Sequence, residues 1–218
     1  DNMDDQAFAV FLTAAFKAMA AAMKEGAPIY VFHADSKAGN FRKSFADAGF
    51  YLAQCLVWVK NSLVLGRQDY QWIHESILYG WKPGAAHPWY GLFDKTTVYS
   101  DRPNLRKMTR QELIELAEEF LDGKYLTTVI REDKPAKNGE HPTMKPVKLM
   151  ANLMLNSSKE GDIVLDPFGG SGSTLIAAEQ LGRTCYTMEL DEKYCDVIIN
   201  RWEGLTGQKA ELIKNENA

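Results

Sequence analysis

What this chain of 218 residues has little of already excludes several classes of protein. It carries three cysteines, Cys55, Cys185 and Cys195, an odd number with no CxxC spacing. That argues against a disulfide framework or a thiolate metal site, and the expectation is reduced, mostly buried structural thiols. His33, His74 and His87 lack the partner spacing that metal ligation needs, so no metal is expected. No apolar run approaches the roughly 18 residues of a membrane span, and no basic stretch followed by an apolar core opens the chain. A cytoplasmic protein with no membrane partner is expected. Excess positive charge is missing too: the formal net charge is −4, unlike a protein that coats polyanions nonspecifically. Any polyanion must therefore be met by local charge. Arg102, Arg106, Lys107 and Arg110 cluster before an acidic helix, and Arg131, Lys134 and Lys137 follow it; solvated loop charge is the alternative for any one of them. There is no internal repeat or low-complexity tract.

What is present reads as one large α/β domain, with 45% hydrophobic residues and enough length for a substantial core. A first helix is expected from about Gln6 to Lys24, with Phe8, Phe11, Leu12, Ala15, Phe16, Met19 and Met23 on one face, Asp4 or Asp5 as its cap and Gly26 at its end. Strands are expected at Ile29 to Phe32, Tyr51 to Val59 and Ile73 to Tyr79, with a short helix at Phe41 to Ala48. This alternation predicts a parallel-type sheet covered by helices. From Trp81 to Glu140 periodicity fails around a single helix with a capping box, Thr109 with Glu112. Later elements are a helix opened by Pro146 and running to about Asn156, a helix capped by Asp191 and running to Glu203, and a terminal strand at Lys209 to Ile213.

The most informative stretch runs from His141 to Glu189. Asp162 to Leu165 is a short apolar run, Pro167 to Gly172 a turn that lets backbone approach a ligand, and Ser173 to Leu181 has helical spacing. Glu189 closes the next apolar run at about the offset where a carboxylate takes a ribose hydroxyl pair in Rossmann-like sheets. A P-loop would need a lysine where Ser173 stands, and a dinucleotide fingerprint a third glycine where Leu175 stands. Asp166 places negative charge where a pyrophosphate would otherwise approach. A ligand with a ribose and a cation but no phosphate fits this pattern, and S-adenosylmethionine is such a ligand. The plainer readings are a helix-cap role for Asp166, core packing for Phe168 and strand-end surface charge for Glu189.

DPFGGSGST (Asp166 to Thr174), preceded by HPTMKP (His141 to Pro146) and followed by MELDEKY (Met188 to Tyr194), resembles the permuted bacterial and phage DNA amino-methyltransferases. The likeness continues upstream in Gly49 to Asn61 and Arg67 to Lys82 and covers most of the chain. It implies a Rossmann-like S-adenosylmethionine-dependent methyltransferase sheet with helices on both faces, plus an irregular target-recognition insertion. The division it implies is a catalytic half over 1–82, a recognition insertion over 83–140 and a cofactor half over 141–218. The implied cofactor contacts are His141, Thr143, Lys145, Asp166, Phe168, Gly170, Gly172 and Glu189, with Lys145 reaching the methionine carboxylate and Phe168 beside the adenosyl group. Arg102, Arg106 and Lys107 are the candidates for double-stranded DNA, and a second copy of the chain is a further candidate partner. His74 and Glu75 lie in a shared strand motif without an assignable chemistry.

One element of the resembled family is missing. Its members accept the target amine with a loop of the form Asp/Asn/Ser-Pro-Pro-aromatic, whose ring stacks on a flipped base, and the 218 residues contain no such tetrapeptide. His87-Pro88-Trp89-Tyr90 is an echo with the wrong polar residue and a single proline. In the permuted order that loop comes just before the first helix, so the expectation is that it and its strand lie upstream of Asp1 and that these residues alone transfer no methyl group. The expected reaction is methyl transfer to the exocyclic N6 amine of adenine in DNA. Transfer to cytosine N4, methylation of RNA, protein or a small molecule, and DNA binding without catalysis are the alternatives.

Overall fold

The computed structural model describes residues 3–64, 69, 71–91, 109–111, 114, 129–131 and 144–213, with backbone alone described at 61–64 and 129–131. Contacts divide the chain into two units, Asp1–Arg131 and Glu132–Ala218.

The first unit contains α1 (Asp5–Ala22), β1 (Pro28–His33), a 3-10 turn at Asp35–Lys37, α2 (Ala38–Asp47), β2 (Tyr51–Val64), β3 (Trp72–Trp81) and β4 (Val129–Arg131). Asp4 caps α1 as its position suggests, accepting the Ala7 N–H at 2.8 Å. The helix ends at Ala22, before the expected Lys24, because Lys82 Nζ takes the carbonyls of Ala20 and Met23 at 2.7 and 2.8 Å. Most of the expected apolar stripe buries: Leu12 and Phe16 pack with Phe45, Phe50 and Leu78, and Phe8, Met19 and Met23 flank them, whereas Phe11 of the same stripe is exposed.

The sheet order is β1-β3-β2-β4, with β3 antiparallel to both β1 and β2 and only β4 parallel to β2. The parallel-type sheet expected from sequence is therefore corrected for this unit. Val64 and Trp72 are separated by only seven residues, and a parallel pairing needs a crossover of about a dozen residues or more, so β2 and β3 close antiparallel. The α2 crossover does make β1 and β2 run in the same direction, but β3 lies between them. β2 also continues past Val59 to Val64. Lys60 on it is buried and pairs with Glu75 of β3 at 2.7 Å, its ammonium 5.6 Å from the Trp58 ring centre. β4 falls in the stretch expected to be irregular apart from one helix. Arg110, Gln111 and Ile114 are helical as expected, whereas Glu112 of the capping box lies outside the described residues.

The second unit contains α3 (Val147–Ser157), β5 (Ile163–Asp166), α4 (Ser173–Gln180), β6 (Thr184–Thr187) and α5 (Glu192–Thr206). Here the parallel expectation holds, with β5 and β6 in register from Ile163↔Thr184 to Asp166↔Thr187 across the α4 crossover. One face of this pair is covered: Val164 and Cys185 pack against Met154, Ala177 and Ala178 of α3 and α4. Burial beside that layer, and the Asp166 charge, push the Cys185 thiol up to about 12, which removes it as a nucleophile. All three cysteines are free and half-buried. Asp191 caps α5 through the Lys193 N–H at 2.9 Å, and the helix outlasts the expected Glu203 to reach Thr206. No strand forms at Lys209 to Ile213: Glu203 takes the Ala210 N–H at 2.9 Å and Lys209 Nζ at 2.6 Å, and Leu212 and Ile213 are exposed. No helix among the described residues is long and apolar enough to cross a membrane.

Candidate functional site

The site grows out of the carboxyl end of β5, the edge at which open α/β sheets take ligands. Asp166 ends the strand and its Oδ1 accepts the Phe168 N–H at 3.1 Å, so the chain turns out of the sheet immediately. The alternative reading of Asp166 as a helix cap is not met, since Gly172 is the N-cap of α4 and the Asp166 bond stays within the turn. Asp166 Oδ2 has no hydrogen-bond partner among the described residues. The turn carries Phe168 outward, 59% exposed, which overturns core packing for this ring and leaves an aromatic face beside the strand end.

Gly169 runs against β6, donating to the Met188 carbonyl at 2.8 Å, and a Cβ there would collide with Thr187 Oγ1. Gly170 and Gly172 have φ of 54° and 77°, a region open to glycine at little cost. Gly172 is the N-cap residue of α4, and a Cβ on it would sit 3.1 Å from Ile198 of α5. Turn and helix entry are therefore made of backbone, with the positive end of the α4 dipole behind them.

Glu189 does more than end a strand. Its Oε2 accepts the Gly170 N–H at 2.7 Å, and its Oε1 accepts the N–H groups of Leu190 and Asp191 at 2.8 and 3.0 Å. The reading of Glu189 as mere surface charge does not survive, since the carboxylate fastens the glycine turn to the end of β6. Ser173 Oγ donates to the Lys145 carbonyl at 2.7 Å, tying the segment before α3 to the start of α4. Lys145 is thereby held near the turn and is half-buried. Asp166, Glu189 and Asp191 give the rim a negative character suited to a cationic or hydroxyl-bearing ligand and unsuited to a phosphate.

The structure thus brings together Lys145, Asp166, Phe168, Gly170, Gly172 and Glu189. His141 and Thr143 lie outside the described residues, as do Arg102, Arg106 and Lys107. Sequence reasoning missed Gly169, Ser173, Thr187 and Arg201, whose guanidinium donates to the Ser171 carbonyl. The signal for Arg201 was its place three positions after Ile198 on the inner stripe of α5, where an apolar residue is the ordinary choice. His87 stacks on Trp81 at 3.8 Å between ring centres, and Trp89 lies against Tyr79, so the His87 to Tyr90 segment packs on its own sheet. No group of three His, Cys, Asp or Glu side chains among the described residues is placed to hold a metal.

Solved structures share this architecture. The M1.HpyAVI-SAM complex aligns with 87% of this chain and 81% of its own at a TM-score of 0.66 and 21% identity. The cytosine-N4-specific PvuII DNA methyltransferase aligns with 92% of this chain and 72% of its own at a TM-score of 0.68 and 15% identity. At such identities the likeness is one of fold, and it supports the expected α/β methyltransferase architecture. In sequence, the Type II methyltransferase M2.DpnII of Streptococcus pneumoniae is 35% identical over 118 residues, 52% of this chain. The match covers 44% of that relative, so the chain spans less than half the length of this curated relative. A family profile described as DNA methylase matches residues 1–201.

Proposed function

We propose, from the premise that this chain belongs to the DNA methylase family, that it serves an S-adenosylmethionine-dependent transfer of a methyl group to the exocyclic N6 amine of adenine in double-stranded DNA. The observation that carries the reading is the turn from Asp166 to Gly172, fastened by Glu189 through the Gly170 N–H. It has the closeness of backbone and the carboxylates that a ribose and a cation require, and it lacks a phosphate cradle. The M1.HpyAVI-SAM complex supports the reading as a protein of this fold paired with the same cofactor.

In this reading Phe168 offers its exposed ring to the adenine, and Glu189 accepts from the ribose hydroxyls while it keeps the Gly170 N–H. Asp166 faces the cationic part with its remaining oxygen, Gly170 and Gly172 let backbone come close, and His141, Thr143 and Lys145 take the methionine end. When bound, the cofactor supplies an electrophilic methyl group on a sulfonium. The protein then needs no strong base for a direct displacement, and its work is to hold amine and methyl in line. No catalytic residue is assigned, because the 218 residues hold no Asp/Asn/Ser-Pro-Pro-aromatic tetrapeptide. We further propose that residues 83–140 recognise the target sequence, and that Arg102, Arg106 and Lys107 meet DNA phosphates.

Two measurements test this. Calorimetry should detect S-adenosylmethionine binding. Labelled transfer to duplex DNA by the protein expressed from its gene, followed by nucleoside analysis, should return N6-methyladenine. N4-methylcytosine would replace the adenine assignment, label in RNA or protein alone would replace the substrate, and DNA binding without cofactor binding would leave a non-enzymatic DNA-binding protein. Replacing Arg102, Arg106 and Lys107 together with Ala should weaken DNA binding and flatten its salt dependence by up to about 3 units of slope while cofactor affinity stays constant. An unchanged slope removes them from the interface.

A further inference from the structure

The glycine turn is gripped on two sides, and only the Glu189 side belongs to the reading above. We propose that Arg201 is a positioning residue for the cofactor: it holds the Ser171 carbonyl from behind the turn and so fixes the peptide planes that the ligand meets, without touching the ligand itself. This rests on the proposed S-adenosylmethionine site.

The peptide plane between Ser171 and Gly172 is pinned at both ends. Its carbonyl accepts from Arg201, and its N–H donates to the Gly169 carbonyl at 2.8 Å. The plane between Gly169 and Gly170 is pinned in the same way, its carbonyl by Gly172 and its N–H by Glu189 at 2.7 Å. Each of these planes is flanked by a glycine of positive φ, Gly172 in one case and Gly170 in the other. With no Cβ to oppose it, rotation of such a plane is cheap, and a rotation exchanges an N–H for a carbonyl oxygen on the ligand side. Hydrogen bonds must supply the stiffness that side chains elsewhere provide.

Arg201 reaches this point because α5 passes directly behind the turn. Ile198, one turn earlier on the same face, lies 3.1 Å from where a Gly172 Cβ would be. Ser171 is only 4% exposed, so its carbonyl has little access to water and needs a donor from the protein. A guanidinium meets that need with charge-assisted donors, and among the described residues it is the side chain that bonds this oxygen.

The test uses Arg201→Met and Arg201→Lys in the 218-residue chain, read by S-adenosylmethionine calorimetry and by amide hydrogen exchange at Gly170 and Gly172 without ligand. Arg201→Met should raise Kd about tenfold, the size of a lost charged hydrogen bond, and speed exchange at Gly172. Arg201→Lys, which keeps a cationic donor, should recover most of both. If Arg201→Met does not fold, Arg201→Lys decides alone, with exchange at Gly172 still faster than in the parent. Parent-like exchange at Gly172 in the folded variant, or a loss of affinity that lysine does not recover, overturns the positioning role. A parent chain that binds no S-adenosylmethionine overturns the proposed function itself, and the exchange data tell the two failures apart.

Discussion

The sheet of β1 to β4 and the turn between β5 and α4 are held by opposite means. In the sheet the stabilising groups are large side chains: Phe45, Ile77 and Leu78 are completely buried, and Phe16 meets Phe45 and Phe50 edge to face at 5.8 and 6.5 Å. In the turn the groups are small. Gly169 leaves no room for a side chain and Gly172 lies tight against Ile198, and Ser171 and Ser173 are buried beside them. Its rigidity comes from side chains that bond backbone, namely Glu189, Ser173 and Arg201. The strands beside it are four residues each, and Ile163, Leu165 and Tyr186 are exposed along them. Apolar volume therefore stabilises the first unit, while directed hydrogen bonds shape the site in the second. Stability and ligand affinity should accordingly respond to different substitutions.

The largest effect is expected in the packed region. Phe45→Ala removes a completely buried ring that touches Phe16 and Phe50, and large-to-small changes of this kind cost about 3–5 kcal/mol. Thermal or denaturant unfolding should show that loss, while S-adenosylmethionine affinity per folded molecule stays at the parent value. An affinity loss of comparable size in the folded protein would break the division between volume and hydrogen bonding.

Smaller in energy, and opposite in kind, are Asp166→Ala and Glu189→Ala. Each removes a charged hydrogen-bonding group worth roughly 1.5–3 kcal/mol, so calorimetry should show S-adenosylmethionine bound about tenfold or more weakly. The two variants should differ from each other. Asp166→Ala releases one local N–H, whereas Glu189→Ala frees three backbone donors, so only the latter should also speed amide exchange at Gly170. If both bind like the parent, the cofactor assignment is wrong.

The same contrast explains what could be read from the sequence. Side-chain volume with helical period is a local signal, so α1, its Asp4 cap and the Asp191 cap of α5 were legible from neighbouring residues. Strand order is not local. β3 between β1 and β2, and β4 arriving from far along the chain, depend on pairings that no window of sequence displays. Lys209 to Ile213 reads as a terminal strand, yet the carboxylate of Glu203 captures the Ala210 N–H within it. In the site, residue types were legible because glycines and a carboxylate at such spacing have few other uses. The second bond of each residue was hidden: the clasp by Glu189 on Gly170 and the grip of Arg201 on Ser171 join residues far apart in sequence.

The smallest effect sharpens the comparison from within the packed region, where one polar side chain sits among aromatic ones. His33 is buried at the end of β1 and stacks on Phe41 at 5.1 Å. Its Nδ1 faces the Ala34 carbonyl at 3.2 Å, and since a carbonyl only accepts, that nitrogen carries the proton. Nε2 is buried and has no hydrogen-bond partner among the described residues, so protonating it would place an unsatisfied N–H and a charge in the interior. Burial lowers its pKa below the ordinary 6.5, with Arg42 acting in the same direction and the Ala34 bond and Asp35 opposing. Well above pH 6.5 the imidazole is neutral in folded and unfolded chains alike and contributes no pH dependence. As pH falls below that value the unfolded chain takes the proton first, so stability drops until the lowered folded pKa is passed and then levels off. His33→Phe keeps a ring against Phe41 and removes the titration. Unfolding midpoints measured at about pH 7.5 and about pH 5.5 should therefore converge in the variant relative to the parent. Cofactor affinity, set by the turn in the other unit, should be equal in parent and variant at each pH. An undiminished loss of stability in His33→Phe would place the acid sensitivity elsewhere, and a change in affinity would show that packing in the first unit reaches the turn after all.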